Sequence, residues 1–599
     1  MNTGIPALDH GVIGNGRVLA LIAPTSAIEW LCLPRFDSPS VFGRILDREN
    51  GGVFRFLSGG AEVQGRLSYI TNTNVISTVF EQDDCMWEVV DYAPRIPEGL
   101  GETLPIEIVR LVKPLKGQPR LRVDFDPRPD YARAAARFAQ TAVGLEMTGA
   151  DVPLHLSTNL PIPYILLKSD FILDHPVFFV LSCGKPDMQH TLESVRHRLD
   201  VTVAGWSAWA RSCALPEFAP AEVLRSALCL KLHVYADTGA IIAAATTSIP
   251  EAMNTPRTWD YRYCWLRDAA FVVEALRRLS HLGEGEQFIN YLRNVAEAAP
   301  LQPVYGIDGR RDLTEILLPH LAGFGGNGHV RIGNAAFEQR QNDLMGELIL
   351  CLETLLRDPR IVHEDGDHFF PLIERLVQES IAAAPTPDTG IWEFRTMLRH
   401  HTFSKAMCWV AMSRGANLAR HYGRYDLSDS WEQAASELQN TVLSRGYNRK
   451  LGFFSQGLDG ENPDASNLLL STLGIVDSRD PRFVSTVENY QHTLVRQGLV
   501  MRYRHADDFG EPTSAFTLCS FWLAEALALI GKLDDAVEVF HELVRRANPV
   551  GLFSEDIDPP TGALLGNFPQ AYTHVGLIHA AVTIGELMEA RDGKVRAWR

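Results

Sequence analysis

Hydrophobic and polar positions follow two different periods along this chain, and the change falls between residues 190 and 220. Before it, short runs alternate at every second residue and are separated by Gly, Pro, Asp and Asn, which is typical of strands in an antiparallel sandwich. From Pro220 onward, apolar residues recur with the 3.6-residue period of amphipathic helices. The predicted strands include Val18–Ile22, Val53–Phe56, Asn74–Phe80, Met86–Tyr92 and Ile106–Val112.

The second part of the chain contains twelve predicted helices. Links before the even-numbered helices are long and carry the unusual residues, whereas most links after them are short. Twelve antiparallel helices of this kind close into a ring of six inner and six outer helices, which brings every long link to one rim, where a site is expected. The predicted helices are 220–235, 268–281, 284–298, 337–357, 367–384, 404–422, 427–445, 463–473, 480–497, 514–530, 534–547 and 571–590.

This pattern predicts three parts: a β-sandwich domain over residues 1–188, a helical linker over 189–219, and the helical barrel over 220–599. The net charge of −17 argues against nucleic acid and anionic membranes as partners and suits a neutral substrate. The nine cysteines are scattered without a CxxC pair, which is typical of buried thiols in a reducing compartment. With no recognisable signal peptide or membrane span, we expect a cytoplasmic protein; the sequence does not decide whether it forms a homo-oligomer.

The segment Thr258–Phe271, TWDYRYCWLRDAAF, mixes aromatic and charged residues unlike the rest of the chain. Arg267 and Asp268 precede an apolar helical run, so Asp268 is expected near a helix N-terminus, and a capped helix with an ion pair would explain the pair alone. However, aromatic faces such as those of Trp259 and Tyr261 stack on sugar rings, and Arg and Asp bind neighbouring hydroxyl groups. The segment therefore predicts a site for a neutral, hydroxyl-rich ligand.

Two of the long links carry carboxylates suited to acid–base chemistry. Glu393 follows Trp392 in the link 385–403 among apolar residues, which disfavour the charged form and can keep a carboxyl group protonated as a general acid. Glu555 lies in the Gly- and Pro-rich link 548–570, although such acidic runs are usually solvated turns. Two separated carboxylates in different surroundings are the minimum apparatus of glycoside hydrolysis.

The link 498–513 is predicted either to bind hydroxyl groups or to form a surface ion-pair network. Its charged residues include Arg502, Arg504, Asp507 and Asp508. His400 and His401 are adjacent, but no partner has metal-ligand spacing, so no metal is expected. The glycine-rich run 323–328 lacks the strand before it and the Lys-Ser/Thr after it that a phosphate loop requires, and is expected to be a lid or turn.

Several strings resemble glycoside hydrolase family 15 and occur in the family's order: TWDYRYCWLRDA, GIWEFR, HTFSKAMCW and SEDIDPPTGALLGNFPQAYTH. They are most similar to the bacterial branch of glucoamylases and trehalases, whose β-sandwich domain the N-terminal run WLCLPRFDSPSVF resembles. The likeness covers nearly the whole chain. It implies an (α/α)6 toroid after an antiparallel β-supersandwich domain, and hydrolysis that inverts the anomeric carbon without a cofactor.

The resemblance also implies roles for individual residues. By motif, Glu393 matches the family's general acid and Glu555 its general base. Arg267 and Asp268 match the pair that holds the non-reducing glucose, and Arg502 is similar to the arginine that reaches the next sugar. Trp259, Tyr261 and Trp392 are the aromatic residues expected to line the sugar site.

We therefore predict an exo-acting, inverting hydrolase of the glucoamylase or α-glucosidase type, which releases β-glucose from short soluble α-glucosides. Phe394 stands where fungal glucoamylases have a second acidic residue, which leaves the leaving sugar and the linkage open. The alternative is a trehalase of the same family. More distant alternatives are an inverting disaccharide phosphorylase on the same toroid, which would not need Glu555, and an inactive sugar-binding protein, which would have lost one carboxylate.

Overall fold

The computed structural model describes residues 4–99, 101–142, 144–184, 189–297, 300–361 and 366–593. An antiparallel β-sandwich comes first and a barrel of helices follows, as the change of period predicts. The predicted domain boundary at residue 188 and the predicted end of the third helix at residue 298 lie outside the described residues. The three domain limits stay predictions.

Two antiparallel sheets of seven and eight strands form the sandwich, and their inward-facing apolar side chains form its core. The first sheet has the order β1-β2-β3-β5-β12-β16, with β4 paired to β3, and the second has the order β13-β14-β15-β17-β11-β8-β7-β6. A small β9–β10 hairpin is separate. The strands are Gly11–Gly14 (β1), Leu19–Ile22 (β2), Ile28–Cys32 (β3), Ser40–Phe42 (β4), Val53–Ser58 (β5), Arg66–Tyr69 (β6), Ile76–Gln82 (β7), Cys85–Tyr92 (β8), Ile96–Glu98 (β9), Gly101–Thr103 (β10), Glu107–Lys116 (β11), Arg120–Asp126 (β12), Arg137–Thr141 (β13), Gly144–Thr148 (β14), Leu154–Thr158 (β15), Asp170–Ile172 (β16) and Val177–Cys183 (β17).

The barrel contains eleven of the thirteen α-helices in the described part of the chain. A short helix, α1, belongs to the sandwich, and α2 lies within the predicted linker, where the Thr191 hydroxyl caps it by accepting from the Ser194 N–H. The helices are Ile162–Leu166 (α1), Leu192–Arg211 (α2), Pro220–His233 (α3), Leu266–Arg278 (α4), Gly283–Ala296 (α5), Leu344–Leu356 (α6), Phe370–Ala383 (α7), Thr402–His421 (α8), Tyr425–Thr441 (α9), Pro481–Thr493 (α10), Thr517–Leu529 (α11), Leu533–Val544 (α12) and Ala571–Arg591 (α13).

The inner ring closes through successive contacts of α4, α6, α8, the turn Ala465–Leu469, α11 and α13, which returns to α4. Helices α3, α5, α7, α9, α10 and α12 pack outside it. The inner helices α8, α11 and α13 are buried on most of their surface, whereas outer helices such as α12 bury one stripe. The predicted double ring of six inner and six outer elements is confirmed.

The eighth predicted helix, 463–473, is wrong as an α-helix. The structure has a 3₁₀ turn over Ala465–Leu469, where the Asp464 side chain accepts a hydrogen bond from the Ser466 N–H. The backbone leaves the helical path at Gly474, whose φ of 87° is a left-handed conformation. Apolar residues with helical spacing therefore fill this inner position from a 3₁₀ turn.

The sandwich and the barrel meet at β3 and at the segment before α4. Trp30 donates a hydrogen bond from Nε1 to the backbone oxygen of Ala245 at 2.7 Å. Arg262 is fully buried, pairs with Asp260 at 2.6 Å, and donates to the backbone oxygen of Ser38 at 2.8 Å. Asp260 and Arg262 therefore join the two domains.

Among the helices in the described ranges, none has the length and apolarity needed to cross a bilayer.

Candidate active site

One pocket on the rim of the barrel is lined by all eight of the predicted site residues. They come from the segment before α4, the first turn of α4, and the links before α8, α11 and α13. The long links that carry these residues therefore converge as predicted, while the role of each residue stays a prediction. The predicted residues that line the pocket are Trp259, Tyr261, Arg267, Asp268, Trp392, Glu393, Arg502 and Glu555.

Glu393 is held in a tight turn with an unusual backbone. Its φ is 58°, in the left-handed region that a residue with a side chain rarely adopts. Its N–H donates to the backbone oxygen of Gly390 at 3.0 Å, and Gln339 Nε2 donates to the Glu393 backbone oxygen at 3.0 Å. Trp392 is anchored separately, with Nε1 donating to the buried Asp464. Such strain persists only where its surroundings impose it, which occurs often at functional sites.

The Glu393 carboxylate makes more polar contacts than its apolar neighbours in the sequence predict. Its Oε1 accepts hydrogen bonds from Trp265 Nε1 at 2.7 Å, Gln341 Nε2 at 3.0 Å and Arg267 Nη2 at 3.2 Å. The expected apolar surroundings are therefore wrong for this oxygen, because the donors come from other links that meet it only in the folded barrel. The side chain is 21% exposed, so it remains open to the pocket.

Glu555 precedes a short strand in a three-stranded sheet formed by Ala515–Phe516, Asp556–Ile557 and Leu564–Leu565. Its backbone accepts from the Thr517 N–H at 2.9 Å and donates to the Asn567 oxygen at 3.2 Å. Gly566 lies against it, with a φ of 72°, and a Cβ there would lie 2.6 Å from the Glu555 Cβ. The glycine of the LLGN run is therefore required for the close approach that places Glu555.

The Glu555 side chain is almost fully buried. Tyr261 donates from its hydroxyl to Oε1 at 2.8 Å, whereas Oε2 has no hydrogen-bond partner among the residues that the structure describes. Burial and the neighbouring Glu251 and Asp556 carboxylates raise the pKa of Glu555 well above its ordinary value, against the opposing effect of Arg502. A carboxylate with one free buried oxygen can accept a proton from a water molecule once it is ionised.

Tyr261 and Trp265 connect the two carboxylates. Their rings pack edge to face with centroids 5.3 Å apart, and each donates to one carboxylate, Tyr261 to Glu555 and Trp265 to Glu393. Trp265 was not among the predicted residues, although it lies in the same aromatic segment. Its signal was present in the CWLRDA run, but the sequence could not show which way its ring points.

Arg267 and Asp268 belong to the first turn of α4 and lie side by side in the pocket. Arg267 Nε donates to Asp268 at 3.2 Å, and Nη1 donates to Gln341 Oε1 at 3.0 Å. Burial raises the pKa of Asp268 to about 6, and the nearby Glu393 acts in the same direction, against the Arg267 charge. A buried arginine and carboxyl group so placed can bind several hydroxyl groups of one sugar.

Arg502 reaches the pocket and Arg504 does not. Arg502 is buried and donates from Nη2 to Glu251, whereas the Arg504 side chain is 41% exposed and faces Glu511. Glu251, Glu555 and Asp556 each place one carboxylate oxygen within 4.8 Å of the others, close enough to share a cation. Arg502 lies against this group, 3.9 Å from Asp556, so that a guanidinium supplies the compensating positive charge.

The pocket's mouth is formed by the links before α4, α8 and α11. Arg257 pairs with Asp507 at 2.5 Å. Asp508 accepts hydrogen bonds from the backbone N–H of Arg395 at 2.7 Å and of Thr396 at 3.1 Å. Asp507 and Asp508, considered as hydroxyl-binding residues or surface ion pairs, thus tie three links together. The glycine-rich run 323–328 does not line this pocket.

Several residues that line the pocket were not predicted from the sequence. Glu251 lies in an irregular segment 17 residues before Asp268, and Gln570 and Tyr572 begin the last helix. Glu251 lies in no recognised string, whereas Gln570 and Tyr572 lie in the string that ends QAYTH, which does not show that their side chains face the pocket. The missed residues include Glu251, Arg257, Trp265, Gln339, Gln570 and Tyr572.

Two acid groups that line one pocket on the rim of a helical toroid are the arrangement that glycoside hydrolysis requires. The family model for glycosyl hydrolases family 15 matches residues 218–582, and that for a trehalase-like N-terminal domain matches residues 3–162. The chain belongs to glycosyl hydrolase family 15.

Curated relatives match nearly the whole chain. A trehalase of Mycolicibacterium smegmatis is 34% identical over 98% of this chain and 92% of its own length. A trehalase of Thermoplasma volcanium is 30% identical over 99% of this chain and 96% of its own length. A bacterial glucoamylase solved in complex with acarbose has the same fold, with a TM-score of 0.73 and 14% identity over 98% of this chain and 96% of its own.

Proposed function

We propose that this family 15 glycosidase hydrolyses α,α-trehalose, with Glu393 as the general acid and Glu555 as the general base. The observation that carries the choice of substrate is the similarity over nearly the full length to proteins named trehalase. The likeness to glucoamylase, at 14% identity, concerns the fold alone. The main prediction from the sequence, an enzyme of the glucoamylase type, therefore gives way to its alternative.

The proposed reaction divides the two carboxylates by task. Glu393 gives its proton to the glycosidic oxygen while the bond from that oxygen to the first glucose breaks. A water molecule forms the new bond to the same anomeric carbon from the opposite face, and its proton passes to Glu555. The products are two glucose molecules, and the two carboxylates exchange one proton with solvent before the next cycle.

The remaining lining residues are proposed to bind the two sugars. Arg267 and Asp268 hold the glucose that is attacked, because both are buried and lie next to Glu393. Arg502 and Trp259 face the leaving glucose, near the tied links at the mouth of the pocket.

Glucose release from trehalose, maltose, isomaltose and maltotriose tests the substrate. We expect trehalose to be cleaved at least about tenfold faster than the others. Two glucose molecules per trehalose, with or without inorganic phosphate, indicate hydrolysis, whereas glucose 1-phosphate would indicate a phosphorylase. Faster cleavage of maltose than of trehalose would restore the glucoamylase prediction.

Proton NMR of the fresh products tests inversion. The attacked glucose of trehalose should appear as the β anomer and the departing glucose as the α anomer, in equal amounts before mutarotation. Two α anomers would show retention and would contradict the roles given to Glu393 and Glu555. Inversion also requires the two carboxyl groups to lie roughly 6.5–9.5 Å apart, with room for the water molecule.

A further inference from the structure

Glu251 is a further carboxylate of the pocket and has no role in the proposed reaction. It is 3% exposed and lines the pocket together with Trp259 and Arg502. Both of its carboxylate oxygens are engaged: Oε1 accepts from Trp259 Nε1 at 2.7 Å, and Oε2 accepts from Arg502 Nη2. Arg257 lies 3.6 Å from the same oxygen. Glu251 is therefore bonded to the two residues that are proposed to face the leaving sugar.

Glu251 also belongs to a group with more carboxylates than guanidinium groups. One oxygen of Glu251 lies within 4.8 Å of one oxygen of Glu555 and one of Asp556. The positive charges that face these three carboxylates are Arg502 and Arg257, and Arg257 also pairs with Asp507, so full ionisation would leave an excess of negative charge. Like charges at this distance in a buried site resist joint ionisation.

The contacts decide which carboxylate keeps its charge. Although burial opposes ionisation of Glu251, the contacts with Arg502 and Arg257 outweigh it and lower its pKa. Burial and the charge of Glu251 raise the pKa of both Glu555 and Asp556. The excess proton therefore belongs to the Glu555–Asp556 pair, in the pocket without a sugar.

We propose that Glu251 is a positioning residue of the hydrolysis: its two oxygens hold Trp259 and Arg502 against the leaving sugar, and its negative charge opposes a second negative charge on Glu555. The inference deepens the proposed function, because it requires Glu555 to act as the base. No motif in the sequence assigned a role to Glu251.

The pH dependence of this group is set by residues from four segments of the chain. Glu251 and Arg257 belong to one segment, with Tyr261 just after it, and the others come from the links before α8, α11 and α13. The charged or titratable groups that face Glu251 and Glu555, directly or through Tyr261, are Arg257, Tyr261, Glu393, Arg502, Tyr503, Asp507 and Asp556.

The decisive variant is Glu251→Gln, assayed with trehalose and with α-glucosyl fluoride over a range of pH. Removal of the negative charge should ease ionisation of Glu555, so the acid limb of kcat/KM should move to lower pH by about one unit with both substrates. Loss of the charged anchor for Arg502 and Trp259 should raise KM about tenfold for trehalose alone, because fluoride has no leaving sugar. A purely structural role would weaken both substrates alike without moving the limb.

Arg257→Gln supplies a test of opposite sign and also serves if Glu251→Gln does not fold. It removes a positive charge from the same group, so the acid limb should move to higher pH. Limbs that stay in place in both variants, or that move in the same direction, would overturn the proposal. Glu525→Gln is the matched control, because Glu525 is a buried glutamate in α11 that pairs with Thr583 and does not line the pocket; its profile should equal that of the wild type.

The two proposals can fail separately. If the wild-type protein does not cleave trehalose but cleaves another glucoside, the substrate proposal is wrong, and the shifts of the acid limb can still be measured with α-glucosyl fluoride. If trehalose is cleaved and the limbs do not move, the role of Glu251 is wrong and the substrate stands.

Discussion

The two carboxylates lie in one pocket but in surroundings of opposite kind. Glu393 is 21% exposed and accepts three hydrogen bonds on one oxygen, one of them from a guanidinium. Glu555 is buried, accepts one hydrogen bond and lies close to two further carboxylates. Three hydrogen-bond donors therefore fix the position of the Glu393 carboxylate. The ionisation of Glu555, in contrast, is controlled by repulsion from the neighbouring carboxylates.

This difference has a consequence for acid–base chemistry. A group with three donors tolerates the loss of one, because the others keep it in place. A group with one donor and two like-charged neighbours depends on each of them. Changes on the Glu555 side should therefore affect the pH dependence, and changes on the Glu393 side should depend on the leaving group.

The largest expected effect is a different dependence on the leaving group when Glu393 or Glu555 is replaced. Glu393→Gln removes the acid and should slow trehalose cleavage about 10³-fold, yet it should spare α-glucosyl fluoride, because fluoride departs with little protonation. Glu555→Gln should lose about 10³-fold or more on both substrates, since neither reacts without an activated water molecule. Steady-state kinetics of both variants on both substrates measure this.

The same ratio of losses in both variants would contradict the assignment of acid and base. Near-normal activity of Glu555→Gln would transfer the role of base to a neighbouring carboxylate. Asp556 is then the nearer candidate, because it is buried beside Arg502, whereas Asp558 pairs with Thr561 in an exposed turn.

An intermediate effect compares the two donors. Tyr261→Phe and Trp265→Phe each delete one hydrogen-bond donor and keep an aromatic ring. Tyr261→Phe removes the hydrogen bond to the Glu555 carboxylate. It should move the acid limb of kcat/KM to higher pH and lower kcat/KM about tenfold near neutral pH. Trp265→Phe leaves Glu393 with two donors, so we expect a loss of only a few-fold and an unchanged acid limb. An equal shift of the acid limb in both variants would contradict the proposed difference between the surroundings of Glu393 and Glu555.

The smallest effect on activity is expected when the contact between β11 and α2 is changed. This contact is far from Glu393 and Glu555 in the sequence. Glu107 pairs with Arg198 and lies 3.6 Å from His190. Although burial acts against it, hydrogen bonds and charge from His190 and Arg198 lower the pKa of Glu107 from 4.5 to about 2. Because the pKa of Glu107 is lower in the folded than in the unfolded protein, this contact stabilises the fold above pH 4.5, and the stabilisation is lost as the pH falls toward 2.

Glu107→Gln should therefore lower the free energy of unfolding by about 2–3 kcal/mol near neutral pH and flatten its decline below pH 4.5. Chemical denaturation at several pH values measures this, with kinetics at neutral pH as the control. A change in the acid limb of trehalose cleavage would show that the pocket is not independent of this contact.

Much of the architecture could be predicted from local patterns. Strand alternation and helical periods depend on neighbouring residues, so they predicted the sandwich and the ring, as well as the long links on one rim. The prediction for 463–473 failed because the spacing of apolar residues does not distinguish a 3₁₀ turn from an α-helix.

The sequence by itself determined the sandwich, the helical barrel and eight of the residues that line the pocket, because each lies in a recognisable run of residues. The tertiary structure alone decided their surroundings. The bond from Tyr261 to Glu555 joins residues 294 apart, and that from Arg502 to Glu251 joins residues 251 apart. Contacts across such separations form only when the ring of helices closes, and no local pattern records them. For that reason the role proposed for Glu251 could not be predicted from the sequence.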